Sequence, residues 1–313
     1  MSTPPPPASA PIGPTATTSV PGAPPPAAPA KPNRTMLYVG IIVAVVVVVL
    51  LIALLVLPSL TSSSSSSAGT YLTYTGALPV ANSAAGGYAG GGWVPLFSVG
   101  LVTATSETVP VNSTALENVT SECTITWQTS TSSLTIPGYT GNRSNGVASA
   151  WEFVYRNASY VLAIVSVIDG KGMVLATLTG ADCTFAAQFL SPLTSNIIDS
   201  SQAAADVEPY AAGFLATHPN SSAVFGLIGG ISFLGHGTGP KWTVAYSTCA
   251  LTTSPSGTGA EFNATLNATT GKVLGTNSTA SVACGSGSVL ASPSGGGPIA
   301  PTSGVALRAA RSG

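Results

Sequence analysis

The most restrictive feature of this sequence is an apolar run from Met36 to Leu57, which contains 22 residues and no charge. As an α-helix it would be about 33 Å long, enough to cross a hydrocarbon core of about 30 Å. Its valines favour strands in water, but a lone segment in lipid can satisfy its backbone hydrogen bonds only as a helix. A cleaved signal peptide has a shorter apolar region followed by small residues, whereas Pro58 and Ser59 follow here. The run therefore predicts a transmembrane helix at residues 36–57 that acts as an uncleaved signal anchor.

Charges around this run predict its orientation. Lys31 and Arg34 lie just before it, and the next charged residue after it is Glu107. Because positive charges near a membrane segment stay on the cytoplasmic side, we predict a cytoplasmic N-terminus and an extracellular C-terminal region. The predicted location is the cell membrane, with the lipid bilayer as the first partner.

Three further segments have biased compositions. Residues 1–35 hold 12 of the 25 prolines, with few large apolar groups, and are predicted to be a disordered, Pro-rich cytoplasmic tail. Residues 58–70 are Ser-rich and predict a flexible stalk. Residues 286–313 are rich in Gly, Ser and Pro and predict a flexible C-terminal tail.

The charge content excludes one class of function. Only 6% of the residues are charged, the formal net charge is -1, and the nine Lys and Arg residues are scattered. Nucleic-acid binding by phosphate neutralisation needs a cluster of basic residues, so no nucleic-acid partner is expected.

An internal repeat organises the region between the stalk and the tail. Trp151, Phe153 and Tyr155 alternate along one predicted strand, as Trp242, Val244 and Tyr246 do along another. A Gly-Lys turn follows in each copy, and twelve residues separate its lysine from a cysteine in both, Lys171 to Cys183 and Lys272 to Cys284. We interpret this as a duplication, with chance similarity as the alternative. The fold class is then α+β and β-rich, with two related antiparallel units at residues 71–190 and 191–285 and each tryptophan buried.

Local patterns add detail to both units. In the second copy, Phe262, Ala264, Leu266 and Ala268 fall on one face of a strand, and Asn263, Thr265, Asn267 and Thr269 on a face expected to meet water. The run Tyr160–Ile168 is apolar on both faces, as in a strand covered on both sides. A helix is predicted from Asp199 or Ser200, with Pro209 kinking it or marking a late start. A weaker helix is predicted at Leu78–Tyr88.

The order of elements and the pattern W-x-V-x-Y, then F-x-A-x-L-x-A-T-T-G-K-V-L, between Trp242 and Leu274 resembles the PepSY family. The resemblance covers residues 199–284 and, less fully, 122–183. It implies small α+β modules, here in tandem, that are non-catalytic and are proposed to modulate peptidases or to bind ligands at the cell surface. Inserted loops and the cysteines depart from the family pattern.

The four cysteines all follow the membrane segment, in a compartment where disulfides persist. Three pairings are open. Because Cys183 and Cys284 hold equivalent places in the repeat, we predict one bridge per unit, Cys123 with Cys183 and Cys249 with Cys284. Metal binding is the alternative, but there is no C-x-x-C motif and only His218 and His236 could contribute histidine ligands.

No residues assemble a convincing active site. The loop Gly235–Gly239 around His236 is similar to an oxyanion loop, but no G-x-S-x-G motif accompanies it. Gly271-Lys272 lacks the rest of a phosphate-binding loop and predicts a hairpin turn. The acidic residues Asp199, Asp206 and Glu208 could bind a cation. We prefer the interpretation that Asp199 caps the helix and that Asp206 and Glu208 are solvated. We therefore assign no catalytic, cofactor or metal residues.

Potential glycosylation sites support the extracellular assignment. Asn33 also matches the Asn-x-Ser/Thr pattern but precedes the membrane segment, so it is expected to stay unmodified. Eight acceptor asparagines follow the membrane segment: Asn112, Asn118, Asn142, Asn157, Asn220, Asn263, Asn267 and Asn277.

Together these features predict a single-pass membrane-anchored cell-surface protein whose outer region binds or scaffolds and does not catalyse. Its partner would be a cell-surface protein or a glycan. The alternatives are a membrane-anchored secreted hydrolase and a structural component of the cell envelope. A contact of His236 with a serine and a carboxylate at about 3 Å would favour the hydrolase.

Overall fold

The central feature of the structure is a ten-stranded antiparallel sheet. A computed structural model describes residues 69–110, 118–120, 123–128, 133–233, 236–249 and 258–284. The predicted cytoplasmic tail, membrane helix and C-terminal tail, and almost all of the stalk, lie outside these residues. Among the residues described, no helix is long and apolar enough to cross a membrane.

The described residues form three α-helices, a 3-10 turn at Arg143–Asn145 and fourteen strands. The helices are α1 (Tyr74–Gly86), α2 (Ala181–Phe189) and α3 (Ser200–Thr217). The strands are β1 (Val94–Val102), β2 (Glu107–Pro110), β3 (Asn118–Thr120), β4 (Cys123–Trp127), β5 (Ser133–Ile136), β6 (Ala150–Arg156), β7 (Leu162–Ile168), β8 (Lys171–Thr179), β9 (Ser222–Ile228), β10 (Ser232–Phe233), β11 (His236–Gly237), β12 (Lys241–Ser247), β13 (Thr258–Asn267) and β14 (Val273–Ala283). The fold is thus α+β and β-rich, as predicted.

The same order of elements occurs twice along the chain. In the first half, α1 precedes β1, β6, β7 and β8; in the second half, α3 precedes β9, β12, β13 and β14. The sheet order is β14-β13-β12-β9-β1-β6-β7-β8-β4-β3, so the first strands of the two sets, β9 and β1, pair at its centre. The segment between β1 and β6 adds β4 and β3 beyond β8, and β2 and β5 pair separately.

The register of the central pair is symmetric. Gly100 lies opposite Trp151 on β6, and Leu227 lies opposite Trp242 on β12, so aligning the tryptophans makes Gly100 equivalent to Leu227 and Val99 to Gly226. Across the β1–β9 pair, Val99 faces Gly226. Exchanging the two strands reproduces this pairing, so a local twofold axis passes between Val99 and Gly226.

The helices α1 and α3 cover one face of the sheet, which we call the helix face. Trp151 and Trp242 are buried there, at 1% and 0% exposure, as predicted. Phe262, Ala264, Leu266 and Ala268 belong to the same core, which confirms the predicted apolar side of β13. Strand β7 is buried on both faces, again as predicted.

One helix prediction needs correction, and one alternative for a second helix is excluded. The first helix begins at Tyr74 and not at Leu78, because Tyr74, Ala77, Ala81 and Ala85 form its buried side. Alanines give a weak hydrophobic pattern, so the sequence does not predict the first turn of this helix. The second helix begins at Ser200, as predicted, and continues through Pro209 to Thr217, so Pro209 does not mark a late start.

The opposite face differs between the halves. Over the first half, α2 packs with the buried residues Cys183, Ala187 and Leu190, and Ile136 of β5 joins the same core. On the equivalent face of the second half, β13 and β14 carry polar side chains, and the buried Val224 of β9 and Ala245 of β12 adjoin them towards the centre of the sheet.

Candidate functional site

The cysteines form two structural bridges. The structure joins Cys123 to Cys183 and Cys249 to Cys284, the pairs predicted from the repeat, each with Cα atoms 5.4 Å apart. The first bridge connects β4 to α2. The second connects the end of β14 to the residues after β12, where the two sulfurs lie close against Gly259.

Asp199 lies at the N-cap position of α3, as predicted, and its carboxylate also contacts α1. Its Oδ1 accepts a 2.8 Å hydrogen bond from the backbone N–H of Thr75 in α1, and its Oδ2 accepts one from the Ser201 hydroxyl. Burial alone would raise the pKa of Asp199, but these hydrogen bonds outweigh burial and hold it below its ordinary value. The carboxylate therefore joins the N-termini of α1 and α3, two helix ends that both favour negative charge.

Ser200 makes a parallel connection. Its hydroxyl accepts a 2.8 Å hydrogen bond from the backbone N–H of Tyr74 and donates one of 2.6 Å to the carbonyl of Gly146. Ser200 is buried, so this hydroxyl is a structural link between the two helix starts and the turn before β6.

The remaining candidates from the sequence do not come together. The Asp206 carboxylate accepts a hydrogen bond from Gln202, and it lies against Gly271, whose positive φ of 72° suits a hairpin turn as predicted. Burial raises the pKa of Tyr246, and the negative charge of Glu208 adds to that shift. In the described part of the chain, no three His, Cys, Asp or Glu side chains form a group that could hold a metal. The backbone of His236 pairs with Phe233, and its side chain lies outside what the structure describes.

A polar patch on the second half of the sheet is the best candidate site. We call this patch the polar face. Directly opposed residues on neighbouring strands place their side chains on one face. The cross-strand register places Ser222, Ser247, Glu261 and Thr279 in one row, with Asn263 beside Asn277 and Thr243 beside Thr265.

The equivalent positions on β7 and β8 of the first half are apolar, while Arg156 of β6 occupies the place of Ser247. Trp151 pairs with Val167 on β7, and the equivalent Trp242 pairs with Leu266 on β13. Counting back from these partners, Leu162 and Ile164 of β7 correspond to Glu261 and Asn263 of β13. Their partners on β8 are Leu178 and Ala176, which correspond to Thr279 and Asn277 on β14. The second half therefore carries oxygen-bearing side chains where the first half carries the core beneath α2.

Two acceptor atoms of the polar face have no hydrogen-bond partner among the described residues. Glu261 is 4% exposed, and its Oε1 is unpaired, as is Oδ1 of Asn263. Burial raises the pKa of Glu261, and a hydrogen bond with the Asn263 side chain opposes that shift. An unsatisfied buried polar group costs about 1–3 kcal/mol. Such a cost marks a place where an external donor would be favourable.

The sequence does not reveal this site, because the residues that form it lie on separate strands. The alternation of Glu261, Asn263 and Thr265 predicts only a solvated face of β13 that bears acceptor asparagines. The structure shows Thr265 only 6% exposed and Asn263 half-buried, so this face of β13 is not openly solvated. Ser222, Ser247 and Thr279 join it only through strand pairing.

The acceptor asparagines are spread over the described region. Asn277 is exposed on β14, and the patch therefore runs from the buried Glu261 to the sheet edge. The Asn267 side chain accepts hydrogen bonds from the backbone of Thr269 and Thr270. Asn142 and Asn220 are also exposed, Asn157 and Asn267 are half-buried, Asn118 begins β3, and Asn112 lies outside the described residues.

The chain matches no protein-family model, and no curated protein or solved structure is significantly similar to it.

Proposed function

We propose that this chain is a single-pass cell-surface protein whose outer region binds or scaffolds through the polar face and does not catalyse. The observation that carries the proposal is the pair of unpartnered acceptors on Glu261 and Asn263, at positions where the equivalent half has Leu162 and Ile164. A surface that only had to be covered would gain stability from apolar residues there, as in the first half. The polar face instead suits a partner that brings hydrogen-bond donors, such as a protein or a glycan at the cell surface.

The proposal includes a tandem of two PepSY-like modules at residues 71–190 and 191–285. Support comes from the repeated order of a helix and four strands, and from the symmetric β1–β9 register. The equivalent tryptophans Trp151 and Trp242 also make equivalent hydrogen bonds. The indole N–H of Trp151 donates to the Leu72 carbonyl at 2.8 Å, and that of Trp242 to the Ile198 carbonyl at 3.0 Å. Each carbonyl lies two residues before the start of a helix.

The membrane anchor at residues 36–57 and its orientation are also part of the proposal, supported by the sequence and by the two disulfides, which suit an oxidising compartment. Protease added to intact cells should remove the region after Ser67 and spare a tag at the N-terminus. Loss of that tag from intact cells would overturn the orientation.

The binding site can be tested by transplanting residues from one half to the other. In the full chain, a photo-crosslinking amino acid at Asn277 should form adducts with a molecule other than this chain. The double variant Glu261→Leu, Asn263→Ile, which installs the residues of the first half, should abolish those adducts.

A matched control places the crosslinker at Tyr210, which is 57% exposed on α3 and therefore on the helix face. Few adducts are expected from Tyr210. Equal adducts from both positions, or adducts from Asn277 that persist in the double variant, would remove the polar face from the proposal.

A further inference from the structure

Strand β14 lies at one end of the ten-stranded sheet and pairs only with β13 among the strands described. Its counterpart in the first half is β8. The outer side of β8 is covered by β4, with Thr124 opposite Thr179 and Trp127 opposite Ala176. The covering strand comes from the long segment between β1 and β6, and only residues 229–240 separate the corresponding strands β9 and β12. The second half thus lacks a covering strand in the part of the chain that is described.

The sequence of β14 does not protect this edge. Natural edge strands usually carry charges, especially Lys, or Pro, because an open row of N–H and C=O groups can pair with another chain. Val273–Ala283 is eleven residues long and contains neither a charge nor a proline. Register irregularities occur near its two ends, and the stretch Gly275–Thr279 between them pairs regularly with β13. This stretch is mostly exposed and presents a regular backbone edge.

We propose that Gly275–Thr279 pairs in antiparallel fashion with the same stretch of a second copy of this chain, so that one sheet continues across both copies. An antiparallel pair of identical strands is self-complementary, since each contact is made twice about a twofold axis. The stretch brings no like charges together, and Thr276 and Thr279 favour strand pairing. The chain already joins its own halves in this way, through the symmetric pairing of β1 with β9.

This assembly deepens the proposed scaffolding role, because it names a second copy as the partner of the β14 edge. It does not use the acceptors of the polar face, and Thr276 and Ser278 project to the helix face, as their partners Ala264 and Phe262 do. Changes at Thr276 and Ser278 therefore test the edge and leave the Glu261 and Asn263 site in place.

A cysteine scan of the full chain tests the pairing. Single substitutions to Cys from Gly275 to Thr279 should give covalent dimers on mild oxidation, with one maximum, because only the residue at the twofold axis faces its own copy at about 5 Å. Tyr210→Cys, exposed on α3, is the matched control for random collision. Sedimentation of the unmodified chain should show a concentration-dependent dimer, and Thr276→Lys with Ser278→Lys should reduce that dimer at least tenfold.

Three outcomes would overturn the assembly. These are a monomer at all concentrations, equal crosslinking at Tyr210→Cys and in the scan, and a dimer that the double lysine variant leaves unchanged. A monomer whose β14 amides are nevertheless protected from hydrogen exchange would show that another part of the same chain covers the edge. If adducts from Asn277 with other molecules persist while the dimer fails, the edge proposal falls and the polar-face function stands.

Discussion

The indole rings of Trp151 and Trp242 contact each other at 6.4 Å between centroids and 73° between planes. They come from equivalent strands of the two halves, and Tyr74 contacts both rings, at 6.0 and 5.5 Å. A fully buried aromatic contact therefore crosses the junction between the halves. Edge-to-face aromatic pairs of this kind add about 0.5–1.5 kcal/mol to the effect of burial.

Truncation of either tryptophan should weaken both halves. Trp151→Ala or Trp242→Ala is expected to lower the free energy of unfolding by about 3–5 kcal/mol, through lost burial and the cavity that remains. Because the rings touch, the double variant should depart from the sum of the single effects by about 0.5–3 kcal/mol in a double-mutant cycle. Denaturant unfolding measures all four proteins. Strict additivity would show that the contact does not couple the halves.

Asp199 should make stability depend on acidity. Its pKa is held below the ordinary value when folded, so its contribution is complete above the unfolded pKa of about 3.9 and is lost as pH falls through the folded pKa. Asp199→Ala is expected to cost about 1–2 kcal/mol at pH 7, since two helix starts lose an acceptor and a negative charge. The difference from the natural chain should shrink as pH falls from 5 to 3 in urea unfolding. A difference that stays constant with pH would contradict a role for the ionised carboxylate.

Glu152 should act in the opposite direction. Burial raises its pKa to about 7, so the folded protein retains a proton that the unfolded chain releases near pH 4.3. Stability from this group is therefore complete below about pH 4.3 and falls as pH rises to about 7, by up to about 3 kcal/mol. Glu152→Gln should remove this dependence. Urea midpoints at pH 5 and pH 8 test it, and an equal drop in both proteins would assign the effect to other groups.

The polar face should be less stable than its apolar replacement. The double variant Glu261→Leu, Asn263→Ile is expected to raise the free energy of unfolding by about 1–3 kcal/mol, because it removes two unpaired buried acceptors. Loss of adducts from Asn277 together with increased stability would be typical of a binding site that sacrifices stability. A marked loss of stability would indicate that Glu261 has a structural role instead.

The disulfides should contribute comparably. Their loops span 60 and 35 residues, and the chain-entropy relation gives about 4 kcal/mol for each. Replacing Cys249 and Cys284 by Ser should lower the denaturation midpoint by an amount similar to replacing Cys123 and Cys183. Unfolding with and without reductant provides the control, since reductant should bring the natural chain to the level of a variant lacking all four.

Several features could be predicted because they depend on residues that are close in sequence. The alternation in β13 identified Phe262 and Leu266 as core residues, and the spacing from Lys171 to Cys183 matched that from Lys272 to Cys284. A period of two along a strand reports which side is apolar, whatever the strand pairs with. The helix starting at Ser200 was predicted for the same kind of reason, from its spacing.

The candidate site could not be predicted in this way. Ser247 and Glu261 belong to neighbouring strands, and Ser222 and Thr279 lie on strands to either side, so no local pattern groups them. Only the registers of both halves show that Leu162 and Glu261 occupy equivalent positions. Asp199 was recognised as a helix cap, but its partner in α1 is 124 residues away in sequence.

The sequence by itself determined the candidate membrane anchor, the repeat, the apolar sides of β6, β12 and β13 and the places of the cysteines, because each follows from residue chemistry at short spacing. The tertiary structure alone decided that β1 pairs with β9, that α2 covers only one half of the opposite face, and that β14 is the edge strand. These outcomes depend on hydrogen bonding and packing between segments that are distant in the chain. The conformational preferences of single residues favour a strand in each case but do not select which strands pair. Free-energy differences between alternative strand pairings arise only once the strands pair in a particular register. The edge position follows when a strand has a partner on one side only.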